Sequence, residues 1–185
     1  EKSAEQRKRL LSIRPYASRK YANDLTVKAI VELSKRDFFK ELEIALIGDG
    51  ELFDQITEPV KGFSNVKLER RFLSHKEIAA VHKDYGIFIT PTRMDSQGVS
   101  RDEAMSSGLV PVTTDVTAIP EFVSNDCGML VDGEDYMGMA SAIESLYRSP
   151  ERFLELSRNA SERVRRQSGI QNTIVKEIEI IKMSQ

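Results

Sequence analysis

The chain has 185 residues, 40% hydrophobic and 30% charged, with a formal net charge of −2. That length suits one domain with a full core, and the near-neutral balance gives no bulk positive field to favour nucleic acid or an anionic membrane. No apolar run approaches the ~20 residues that span a bilayer, residues 1–9 are too polar for a signal peptide, and the lone Cys127 has no internal disulfide partner, which suits a reducing cytoplasm.

Short apolar runs alternate with amphipathic stretches, the pattern of a parallel sheet with helices on both faces. Residues 10–14 form the first expected strand, followed by a basic loop with Arg14, Arg19 and Lys20; a helix from about Asn23 then buries Leu25, Ala29, Ile30 and Leu33. Residues 42–48 make the second strand, Gly48-Asp49-Gly50 turns the chain, and Glu51 opens a helix that Pro59 or Gly62 ends. Residues 65–69 are the third strand, and Ser74 with Glu77 forms a capping box for a helix running to about Asp84. Residues 86–90, 109–114 and 128–131 complete six strands.

After Gly133 the alternation stops and three helical stripes follow: Met139, Ala142, Ile143 and Leu146; then Phe153, Leu156, Ala160 and Val164; then Ile174, Ile178 and Ile181. Pro150 and Gly169 separate them. With no internal repeat or low-complexity linker, residues 1–185 read as one Rossmann-like, doubly wound domain with a helical carboxyl-terminal tail.

The stretch that organises the rest runs from Pro91 to Met105. It carries a strand buried on both faces into a loop with Asp95 and Gly98, then into a helix from Val99 that Gly108 stops. In an open parallel sheet, ligands collect at the carboxyl ends of the strands, where the free N–H groups of helix N-termini attract anions. Carboxylates on either side of such a turn can hold hydroxyls flanking a phosphate.

Asp95, Gly98 and Glu103 at this spacing, followed by Ala104-Met105, Gly108-Leu109-Val110-Pro111-Val112 and Ile119-Pro120-Glu121, resemble the donor-binding half of the retaining GT-B glycosyltransferases (group 1, family 4-like). That family carries Glu-x7-Glu with a glycine three residues after the first Glu, then Glu-Ala-Met and Gly-x-Pro-Val. Asp95 stands at the first acidic position, one methylene shorter. Thr117-Ala118 stands where the family has Gly-Gly, so a glycine requirement for sugar access is not met.

The resemblance implies donor binding for retaining hexosyl transfer from a nucleoside-diphosphate sugar, the donor substrate, with no metal or other cofactor. Asp95 would hold sugar hydroxyls or face the anomeric carbon. Gly98, Val99 and Ser100 would offer backbone N–H groups, Glu103 would accept from the ribose, and Arg14 with Lys20 would neutralise the leaving diphosphate. Gly48 would let the backbone approach the nucleotide, and the main chain near Leu73 would meet the base. Arg71, where the family has glycine, either reaches a phosphate or marks a different base pocket.

A preceding acceptor-binding domain is implied as well, making this chain the carboxyl-terminal half of a longer protein, inactive alone. Peripheral membrane association would run through that domain, and the acceptor would be a bacterial surface polysaccharide or glycolipid. Same-face transfer and a covalent intermediate both stay open.

Blander readings exist for each feature. Arg14 alone is an ordinary loop arginine, Gly48-Asp49-Gly50 is equally a tight strand-to-helix turn, and Glu121 reads as an anchor for the loop after the fifth strand. His75 and His82 are seven apart where zinc on a helix needs four, so they read as surface or capping residues rather than a metal site. Beside the transferase stand a nucleotide-sugar binding module without catalysis, an NDP-sugar epimerase half, and a phosphate-free flavodoxin-like interaction domain.

Overall fold

The computed structural model describes residues 1–169, 174, 178 and 180–183. Its strands are Arg9–Ile13 (β1), Glu43–Ile47 (β2), Val66–Glu69 (β3), Ile87–Ile89 (β4), Val110–Thr114 (β5) and Met129–Val131 (β6). All six pair in parallel in the order β3-β2-β1-β4-β5-β6. The chain reverses its direction of travel across the sheet between β1 and β4, and a crevice is expected at the carboxyl ends of those two strands.

Alternation along the strands assigns side chains to the two layers. Leu10, Ile44, Leu46, Ile87 and Ile89 point to one face, where they meet Leu25, Ile30 and Leu33 of α1 (Asn23–Leu33), Ile143 and Leu146 of the helix Tyr136–Arg148, and Phe153 and Leu156 of the helix Pro150–Ser168. Leu11, Ala45, Ile47 and Phe88 point to the other, beneath Val81 of the helix His75–Asp84 and Ala104 of the helix Val99–Ser106. A strand covered on both faces has no use for polar residues, which is why β4 reads Ile-Phe-Ile. Phe88, like Ile87 and Ile89, is fully buried, and its burial alone is worth about 1.5–3 kcal/mol.

In chain order after α1 the helices are Phe53–Thr57 (α2), His75–Asp84 (α3), Val99–Ser106 (α4), Ile119–Phe122 (α5), Tyr136–Arg148 (α6) and Pro150–Ser168 (α7). Both arms of the Ser74–Glu77 capping box are formed at the start of α3, and Gly108, at φ 79°, takes the left-handed position just past α4. The helix expected from Glu51 is shorter: α2 gives way to a 3-10 turn over Glu58–Val60, where Pro59 lacks the amide to continue it. The four-residue α5 was not foreseen, being too short to show a period.

The histidines part company. His75 is exposed, but His82 is 2% exposed, packed edge-on to Phe88 with Nδ1 3.3 Å from Ser107 Oγ, so its surface or capping reading is corrected to a buried one. A polar residue on the inner side of α3 gives no sign of burial in a sequence. In the third stripe Ile174, Ile178 and Ile181 are helical and exposed; residues 170–173, 175–177 and 179, on which that helix also rests, lie outside the described residues.

Candidate functional site

At the reversal point, β1 delivers Arg14 and β4 delivers the loop 91–98. Arg14 is 5% exposed; its Nη2 donates to the Pro91 carbonyl at 3.3 Å, its Cζ lies 5.2 Å from the Tyr21 ring centroid, and its buried Nε has no partner. Burial pulls the guanidinium's pKa down from its usual value, opposed by the charge of Asp95. A cation taken out of water with donors unspent is a costly arrangement unless an anion completes it.

The backbone is shaped around this arginine. A side chain at Gly48 would meet the Arg14 carbonyl oxygen at 1.8 Å, so the turn after β2 admits only glycine. Gly98, the N-cap of α4, sits at φ 75°, and a side chain there would press on the Arg101 guanidinium at 2.9 Å. The first amides of α4, at Val99 and Ser100, therefore open beside Arg14 with no preceding turn to accept them.

Side-chain ties fix the loop, beside the bonds of Arg93 N (2.9 Å) and Thr92 Oγ1 (3.2 Å) to the Lys20 carbonyl. Thr114 Oγ1 accepts from Thr92 N (2.9 Å) and donates to Thr92 O (2.6 Å). Arg93 donates to both oxygens of Asp24 at 2.8 and 2.9 Å and both of Glu134 at 2.6 and 2.8 Å, which holds its own pKa above the usual value and those of Asp24 and Glu134 below theirs. Thr117 Oγ1 accepts from Asp95 N at 3.2 Å and donates to Asp95 O at 2.8 Å.

Beneath the loop, Arg101 is 1% exposed. Its Nε and Nη2 donate to Asp102 Oδ1 at 3.1 and 2.8 Å, Nη2 also donates to the Gln97 carbonyl, and the guanidinium lies over Phe122. Burial pushes the Asp102 carboxyl up, against the hydrogen bonds and charge of Arg101.

A cavity of about 350 Å³ joins these parts, lined by Arg14, Gly48, Leu73, Asp95, Gly98, Val99 and Ser100 of the residues singled out in the sequence. Tyr21, Phe72 and Ile78 give it an apolar side, and Arg71 also lines it while paired with Glu69 and Glu77 at 2.7 Å each. Lys20 and Glu103 are not in the lining. Lys20 Nζ lies 4.9 Å from the Tyr21 ring centroid, and Glu103 Oε1 stands 3.8 Å from His75 Nδ1.

Arg93, Arg101, Asp102 and Thr117 had no role assigned from sequence. The only sign was a positional one, since the first three fall within the Pro91 to Met105 stretch. Glu121 is exposed, and its carbonyl accepts from Arg163 and Gln167 of α7.

A larger hollow, about 480 Å³, lies where the end of α4 meets α7, lined by Lys2, Ser107, Ser157 and Arg158 among others. It includes Gly108, two residues before β5, and holds none of the residues given a donor-site role from sequence. Among the described residues no three His, Cys, Asp or Glu side chains gather to hold a metal ion, and no helix is long and apolar enough to cross a membrane.

Solved structures share this architecture at low sequence identity. A TarM mutant of S. aureus in complex with fondaparinux, alpha-GlcNAc-glycerol and UDP superposes with a TM-score of 0.80 at 19% identity, covering 94% of this chain and 35% of that one. The C-terminal domain of LpcC, a group 1 glycosyl transferase of Francisella tularensis, gives 0.76 at 19% identity, covering 92% and 94%. Sucrose-phosphate synthase of Thermosynechococcus elongatus gives 0.79 at 15%, covering 94% and 45%. The chain thus spans about a third of the TarM chain, and the likeness is one of fold.

Among curated proteins no relative matches the sequence. The model of the family Glycosyl transferases group 1 matches residues 7–149, from the approach to β1 through the end of α6, and the chain belongs to that family.

Proposed function

We propose that this chain is the donor-binding half of a retaining glycosyltransferase, which moves a hexosyl group from a nucleoside-diphosphate sugar to an acceptor held by a second domain. The observation that carries the reading is the convergence of the buried Arg14, with its unpartnered Nε, and the open amides of α4 on one cavity that Asp95 also lines. The TarM complex that shares the fold holds UDP, in keeping with a nucleotide ligand here.

In this scheme the diphosphate lies across Gly98, Val99 and Ser100, on the positive end of α4, with Arg14 beside it. The base takes the apolar side, against Leu73, and the ribose hydroxyls reach Glu103. Asp95 takes the sugar. Over the whole transfer, whether on the same face or through a covalent intermediate, the bond between the anomeric carbon and the phosphate oxygen breaks with both electrons going to the diphosphate, the acceptor oxygen ends bonded to that carbon, and its proton ends on the diphosphate. Charge grows most on the leaving diphosphate, so fixed donors aimed there favour the transition state over the bound substrate. Lys20, beside Tyr21, helps to offset that charge.

Calorimetric titration of the chain with UDP, GDP and ADP tests the reading. Saturable binding of one nucleotide, weakened by Glu103→Ala and by Arg14→Met, is the expected result. A folded chain that binds none of the three, also when joined to its acceptor domain, refutes it.

A further inference from the structure

Residue 117 is a threonine in left-handed backbone, φ 50°. A β-branched side chain is a steric outlier in that conformation, and such residues persist where their surroundings over-determine them. The determinant here is Asp95: one hydroxyl, Thr117 Oγ1, receives the Asp95 amide and donates to the Asp95 carbonyl. Both main-chain polar groups of the residue that brings a carboxylate to the cavity are thereby held from the loop that follows β5.

The other ties act elsewhere on the loop: Thr114 at Thr92, the Lys20 carbonyl at Thr92 and Arg93, and the Asp24–Glu134 pair at Arg93. The Asp95 carboxylate accepts from the neighbouring Ser96 N at 2.9 Å, and none of these ties sets how far that residue leans over the cavity. That distance matters because an aspartate arm is one methylene, about 1.5 Å of bond, shorter than a glutamate arm. Glycine would adopt φ 50° without strain, so the threonine brings a hydroxyl clasp at the expense of backbone comfort.

We propose that Thr117 is a positioning residue that sets the depth at which the Asp95 carboxylate meets the donor's sugar. The inference rests on the donor-site reading above. It makes an opposed pair of expectations: removing the hydroxyl with glycine relieves the backbone while it loosens recognition of the sugar.

The test compares the affinity of a nucleoside diphosphate with that of its glucose, galactose and N-acetylglucosamine conjugates, using whichever of UDP, GDP or ADP binds; the ratio isolates the sugar. In the unmodified chain at least one conjugate binds more tightly than the nucleotide. Thr117→Gly shrinks that preference by about tenfold, the scale of a lost hydrogen bond to a charged site, while nucleotide affinity stays within about twofold and the melting temperature holds or rises. Thr117→Ser keeps the preference, and Asp95→Glu in the Thr117→Gly background recovers part of it.

A Thr117→Gly chain that keeps the preference, or that loses nucleotide and conjugate equally, overturns the positioning role and leaves the donor-site reading standing. A nucleotide that binds with no preference for any conjugate removes Asp95 as the sugar contact and the proposal with it. Absence of all nucleotide binding, also with the acceptor domain joined, refutes the donor site itself.

Discussion

Arg14 Nη2 lies 3.3 Å from the carbonyl oxygen of Pro91, so a guanidinium carried by the end of β1 is anchored on the end of β4. That contact spans the point where the sheet order reverses, and it leaves Nε buried without an acceptor. The residue is thus poorly served by the protein alone, as expected of a group whose main partner is a ligand.

Replacement by methionine should therefore split two properties. Arg14→Met removes a desolvated charge and keeps most of the volume, so stability stays level or rises by about 1–2 kcal/mol. Nucleoside-diphosphate affinity falls by roughly 10–100-fold with the loss of charge-assisted hydrogen bonds, while affinity for the uncharged nucleoside holds. Urea unfolding read beside the titrations checks both, and a variant that loses stability and diphosphate affinity together would show a structural arginine instead.

Arg93 should behave in the opposite way. Its fork holds Asp24, which is well shielded, and Glu134, which is largely exposed; a lysine cannot reproduce the two-toothed geometry. Arg93→Lys is expected to cost about 1–2 kcal/mol, chiefly through Asp24, since the exposed Glu134 arm is screened by water. Hydrogen exchange at residues 92–97 should quicken in the variant by more than the global loss of stability explains. Uniform quickening across the chain would deny Arg93 a local hold on the loop.

These two arginines show where sequence reading stops. The strands were legible because burial on both faces leaves β1, β2 and β4 apolar, and α4 because Gly98 and Gly108 bracket it. Arg14 and Asp95, which line one cavity, were singled out through the family resemblance of their segments. Arg93 was not, since its partner Asp24 lies 69 residues away and only the adjacency of β1 and β4 brings them together. The Thr92–Thr114 exchange, 22 residues apart, depends in the same way on β4 lying beside β5. Arg101 looks like part of a solvated helix face until Phe122 of α5 lies against it.

The buried Arg101–Asp102 pair has its own test. Arg101 Nη1 and Asp102 Oδ2 lack partners, so the two charges are compensated by each other and incompletely. Arg101→Met alone leaves the carboxyl without its cation and is expected to cost about 3–5 kcal/mol, whereas Arg101→Met with Asp102→Leu should come within about 1–2 kcal/mol of the parent. Denaturant midpoints of the two singles and the double give the coupling directly. Additive losses would mean that the two side chains do not depend on each other.

His82 is expected to add to the acid side of the stability profile. Burial, with a smaller push from the charge of Lys2, lowers its pKa from 6.5 to about 4. The unfolded chain then takes up a proton near pH 6.5 that the folded chain refuses until about pH 4, so the stability contribution is complete above pH 6.5 and is lost as pH falls toward 4. The full loss is on the order of 3 kcal/mol, with about 2 kcal/mol of it spent by pH 5. Glu77, held down to about 2 by the Ser74 cap and Arg71, adds a loss that begins only below its ordinary 4.5, outside a comparison that stops at pH 5. Urea midpoints at pH 7.5 and pH 5 should therefore differ far more in the parent than in His82→Leu, which has no proton to take up. Equal slopes in the two chains would place the acid sensitivity in the carboxylates and leave His82 a neutral packing residue at every pH.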